Sequence, residues 1–190
     1  MAEQKGQRFV LLLLISFAAV AVAATVITPG LVDEPSPQPR PAAERSGTEQ
    51  EGLIEMLEIY EHLAEQNPEN PDYRVILGNL YSQLGDWSRA AENLVQAAEL
   101  EPENAHLQID LGITLWHAGR EEEGLVHFDE ALRLDPSLIF ARYYKGMLLG
   151  GMAGREEEAI AELEQVLADA EDPELIGQAG AVLRTLLGRR

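Results

Sequence analysis

The chain has 190 residues, a formal net charge of −19 and no cysteine. Its first 27 residues carry +1 and the rest −20; a body this acidic repels phosphate backbones and anionic lipid surfaces, which argues against nucleic-acid binding. The absence of thiols excludes disulfides, thiolate metal sites, a cysteine nucleophile and haem attachment through the protein's own cysteines.

Residues Met1–Arg8 are polar, and Lys5 and Arg8 flank an apolar run from Phe9 to Ile27 that only Ser16 and Thr25 interrupt. Wound as a helix, this run reaches about 28 Å, close to the hydrocarbon thickness of a bilayer. Two readings stay open: an uncleaved transmembrane anchor over 9–27, or a secretory signal cut after Ala21-Val22-Ala23. Under either, the basic flank at 1–8 stays cytoplasmic and the remainder lies outside the plasma membrane, periplasmic or at the cell surface, and secreted if the signal is removed. Residues 28–50 read as a linker. Pro29, Pro35, Pro37, Pro39 and Pro41 favour extended polyproline backbone, and no apolar period is present.

From 51 to 190 the pattern turns helical. Leu53, Met56, Leu57, Tyr60, Leu63 and Ala64 form one stripe, ended by Asn67-Pro68. Two copies of a longer pattern follow: Leu77, Gly78, Tyr81, Gly85, Ala90, Leu94, Ala97, Pro102, then Leu111, Gly112, Leu115, Gly119, Gly124, Phe128, Ala131, Pro136. The copies lie 34 residues apart, and so do Pro68 and Pro102, so the array opens on a half repeat. Gly78 and Gly112 cost roughly 1 kcal/mol each against alanine in a helix, which close approach of a partner helix would justify. Gly85 and Gly119 fit left-handed helix ends, and the prolines stop the second helices.

A third copy is offset by one residue. Ala118-Gly119-Arg120-Glu121-Glu122-Glu123 recurs 35 residues later as Ala153-Gly154-Arg155-Glu156-Glu157-Glu158, and Lys145 stands where leucine is expected. The insertion predicts a bent, lengthened or widened helix at Gly150-Gly151. The glutamate triplets complement a helix dipole in its first turn. Leu175, Ile176, Ala179, Val182, Leu183, Leu186 and Leu187 make a last, one-faced helix that closes the stack.

The Leu-Gly-x2-Tyr spacing, the Ala-x3-large spacing and the closing proline resemble the tetratricopeptide repeat (TPR) family. The resemblance implies an all-α helix-turn-helix solenoid of about three repeats (71–104, 105–138, 139–173), with the leading half repeat and a capping helix over 174–187. It also implies a concave groove lined by the second, fifth, ninth, twelfth and thirteenth residues of each first helix. Here these are Asp72, Val75, Asn79, Ser82 and Gln83, then His106, Ile109, Ile113, Trp116 and His117, then Phe140, Tyr143 and Met147. Family members that clamp a terminal carboxylate carry lysine and arginine there, whereas this chain has Val75 and Ile109 at the fifth position. An apolar groove with aromatic residues suits an amphipathic helix or an extended hydrophobic segment, the acidic body favours a basic partner, and Trp116 is the predicted anchor of the groove.

The chain offers little for catalysis. His106 and Asp110 have metal-ligand spacing on one helix, but no third ligand stands beside them. Nucleophile-elbow, phosphate-loop, dinucleotide and zinc-protease patterns are missing. The expectation is a non-enzyme without metal or cofactor: a membrane-tethered binding module or assembly scaffold. Its layout is similar to the membrane-anchored TPR proteins of cytochrome c maturation, which would make an apocytochrome or a haem-ligation partner its cargo. An enzyme or metal-binding domain with no identifiable site is the alternative from another class.

Overall fold

The computed structural model describes residues 42–188. Its described residues form eight α-helices and no strand: α1 Ala42–Gln66, α2 Pro71–Gln83, α3 Trp87–Leu100, α4 Ala105–His117, α5 Glu121–Leu134, α6 Ile139–Gly151, α7 Glu156–Asp169 and α8 Pro173–Leu187. Each packs mainly on its sequence neighbours, as an all-α solenoid requires. The apolar run Phe9–Ile27, its flank and the linker up to 41 lie outside the described residues. Among the described residues, no helix is long and apolar enough to cross a membrane.

Capping residues set where these helices begin. Asn70 accepts the Asp72 N–H at 3.0 Å ahead of Pro71, which has no N–H to lose. Asp86, Asn104 and Asp172 accept from Arg89, Leu107 and Glu174 in the same way. Arg120 and Arg155 make no side-chain cap. Each instead grips the glutamate three residues on, Glu123 or Glu158, with two guanidinium nitrogens. The glutamate triplets occupy the first turns of α5 and α7, where negative charge is favoured.

Paired helices come closest at the eighth residue of each first helix. A Cβ on Gly78 would stand 2.7 Å from Leu94 Cγ, one on Gly112 2.8 Å from the Phe128 ring, and one on Gly146 2.9 Å from Leu163 Cγ. Leu94, Phe128 and Leu163 are fully buried, so the glycines provide the space these side chains fill.

Two sequence expectations need correction. Helix α1 begins at Ala42, inside the stretch 28–50 expected to be linker. Ala42, Ala43, Glu44 and Arg45 are strong helix formers, and without an apolar stripe they gave no periodic signal. The inserted residue, in turn, does not lengthen α6, which has 13 residues like α2 and α4. The connection absorbs it: Met152 is extended (φ −90°, ψ 130°), where Leu84 and Ala118 keep helical angles, and Gly154 then turns at φ 80°. The space that leucine occupies at Leu77 and Leu111 holds a charge network in the third repeat. Lys145 Nζ lies 2.8 Å from Asp129 and 2.7 Å from Glu162. Burial opposes its charge, but these two carboxylates outweigh it and hold the lysine pKa above its usual value.

Candidate functional site

First helices of successive repeats touch, α4 against α6 and α6 against α8, while second helices make no comparable contact. The first helices therefore line the inner side of the stack, and their uncovered side chains form the candidate surface. Asn79, Gln83, His106, His117 and Phe140 are exposed there, and Val75, Ile113, Trp116 and Met147 are partly covered. Ile109 and Tyr143 differ: both are buried and belong to the core between repeats, so they hold neighbouring first helices together and offer a partner no surface. Ile113, Trp116 and Met147 are partly buried and pack on that same core.

Trp116 and His117 form part of a short ring ladder. The His117 imidazole stacks on Trp87 with centroids 4.3 Å apart, and Trp116 follows at 5.9 Å. Trp87 opens α3 directly after the Asp86 cap. The stack therefore ties the end of α4 to the turn of the preceding repeat, beside a shallow hollow lined by Leu84, Gly85, Ser88 and Ala118. Sequence reasoning missed Trp87 because it opens a second helix, away from the groove positions.

Asp110 was also absent from the predicted groove. It is the sixth residue of α4, one turn after His106 and three residues before Ile113. Its carboxylate makes no hydrogen bond or ion pair among the described residues; only its backbone oxygen is engaged, by Thr114 Oγ1 at 2.8 Å. Burial raises its pKa to about 6, and His106 draws it part of the way back. The equivalent residues in the neighbouring repeats are Ile76 and Tyr144, so this is one negative charge in an apolar row. His106 and Asp110 gather no third ligand: no group of three or more His, Cys, Asp or Glu suited to a metal occurs among the described residues.

Residues 77–139 match the family model described as tetratricopeptide repeat. Over 81 residues the chain is 28% identical to the small glutamine-rich tetratricopeptide repeat-containing protein 2 of Mycosarcoma maydis, a match covering 43% of this chain and 23% of that protein. The chain thus spans under a quarter of that relative. Among solved structures it is similar to the MamA protein (TM-score 0.60, 19% identity, 77% of this chain and 81% of that one). It is equally similar to a thermophilic TPR protein of Thermus thermophilus (TM-score 0.60, 22% identity, 73% and 77%). At these identities the likeness concerns the fold.

Proposed function

We propose that this chain, whose residues 77–139 match the tetratricopeptide repeat model, is a protein-interaction module that holds a basic or amphipathic polypeptide segment along its first-helix face. The observation that carries this reading is Asp110, a half-buried carboxylate with no hydrogen bond or ion pair among the described residues, three residues before the partly covered Ile113 on α4. A buried charge is costly until it is paired. A lysine or arginine delivered by a peptide would pair it, while the peptide's apolar residues covered the aromatic row. Binding, not catalysis, is the activity proposed.

On the anchor reading of Phe9–Ile27, the module is tethered to the plasma membrane and works outside the cytoplasm. The layout shared with TPR proteins of cytochrome c maturation assigns no residue a role, so the proposal stays with polypeptide binding.

The test titrates the full chain with peptides of equal length and apolar content carrying lysine, glutamine or glutamate at one central position, followed by tryptophan fluorescence. The lysine peptide should bind most tightly. Asp110→Asn should erase its advantage, and the control Glu99→Gln on the exposed surface should not. Equal affinities for all three peptides would overturn the reading.

A further inference from the structure

Among the described residues the array opens on a second helix and closes on a first helix. Helix α1 holds the register of a second helix: Ile59 and Tyr60 stand 34 residues before Asn93 and Leu94. Helix α8 holds the register of a first helix, and no second helix follows it among the described residues. Gly180 continues the series Gly78, Gly112, Gly146 at steps of 34, and Asp172-Pro173 caps α8 as Asn70-Pro71 caps α2. In the complete repeats the eighth-residue glycine receives a large side chain from its partner helix. At Gly180 an added Cβ would meet only Arg184 of its own helix, at 3.5 Å. The notch is present, and among the described residues no partner helix sends a side chain into it.

The unpaired faces also match each other in chemistry. Within each complete repeat the fourth residue of the first helix bonds the seventh of the second: Arg74 to Asn93 at 3.3 Å, Gln108 to His127 at 2.7 Å, Arg142 to Glu162 at 3.2 Å. At the two ends both members of this pair are isoleucine. Ile176 on α8 is 37% exposed and Ile59 on α1 is 51% exposed. A polar pair at three sites becomes an apolar pair at the fourth, split between the two ends of one chain.

We propose that α8 of one molecule docks on α1 of a second copy, completing a fourth helical hairpin between molecules. Tyr60 enters the Gly180 notch as Leu94 enters that of Gly78, and Ile59 meets Ile176. No covalent turn joins the two helices, and both run past the lengths that a turn imposes inside a repeat: α8 has 15 residues against 13, and α1 has 25 against 14. Met56 replaces the small residue found at Ala90, Gly124 and Ala159; its flexible thioether lies over the glycine notch. The docked pair keeps one free α1 and one free α8, so the contact is head-to-tail and propagates unless the rotation closes a ring.

The experiment is sedimentation velocity on the full chain, anchor segment included, across a concentration series in one detergent. Wild type should form species beyond the dimer. Ile59→Asp and Ile176→Asp change exposed residues, and each should weaken association roughly tenfold or more; circular dichroism checks that both stay folded. A mixture of the two variants retains one good pair of ends and should stop at a heterodimer. A monomeric wild type at every concentration would overturn the proposal. So would association that Ile176→Asp leaves intact, the mark of an α1–α1 dimer, or association unaffected by either variant, the mark of contact through the N-terminal segment.

Discussion

His127 Nδ1 lies 2.7 Å from Oε1 of Gln108, and the two residues occupy the register that Arg74–Asn93 and Arg142–Glu162 hold in the neighbouring repeats. Gln108 and Asn93 are buried, so each helical hairpin keeps one polar bond next to its glycine contact. The Gln108 oxygen can only accept, so Nδ1 carries the proton. Replacing His127 with alanine leaves the buried amide of Gln108 unpaired and should cost about 1–3 kcal/mol in urea unfolding. Changing both, Gln108→Leu with His127→Leu, should cost less than His127→Ala alone.

Gly112→Ala tests the closest helix contact. The added Cβ stands 2.8 Å from the ring of Phe128, which has no exposed surface and cannot withdraw. Better helix propensity would gain roughly 1 kcal/mol, but overpacking costs typically 1–3 kcal/mol. The expected outcome is a lower melting temperature, whereas Gly52→Ala, with nothing within 4 Å of its Cβ, should raise it.

Two groups give stability opposite pH dependence. Burial lowers the His127 pKa below 6.5, with Glu123 partly offsetting it, so the unfolded chain takes up that proton first and stability is lost as pH falls below 6.5. Asp110 is the reverse. Its pKa is raised from 3.8 to about 6 in the folded chain, so the folded state takes up the proton first and the penalty of its burial fades as pH falls from 6 toward 3.8. Asp110→Asn should therefore stabilise the protein at pH 7.5, by up to about 3 kcal/mol, and the gain over wild type should shrink toward pH 4. A gain that is the same at both pH values would show that the carboxylate is not the cause.

The helices were legible wherever a repeated residue had a packing reason. The glycine at 78, the leucine at 94 and the proline at 102 recur because the same contact recurs, and periodicity records contact. The start of α1 at Ala42 was hidden because its first residues carry propensity without a stripe. The groove was harder to read. Ile109 and Tyr143 share a helix position with Val75, yet both are buried between first helices, and burial there depends on the next repeat rather than on the helix's own pattern. Asp110 escaped for a related reason: nothing in its neighbours along the chain marks a carboxylate as lacking a partner in space.

Trp116 is placed to serve two roles, and one variant series separates them. Its indole is partly covered and packs on the core that includes Phe128 and Leu148, yet it stacks near His117 on the first-helix face. Trp116→Ala should therefore lower stability by about 2 kcal/mol, less than the 3–5 kcal/mol of a fully buried tryptophan. It should also weaken binding of the lysine peptide by about 2 kcal/mol or more, near thirtyfold. Trp116→Leu restores much of the apolar packing but neither the ring face nor the indole N–H, so melting temperature should recover while affinity stays low. Both quantities are measured on the same samples, by thermal unfolding and by peptide titration at a temperature where every variant is folded. If Trp116→Leu recovers affinity in step with stability, the side chain acts only through the core, and the groove anchor must lie elsewhere on the face, with exposed Phe140 the next residue to test.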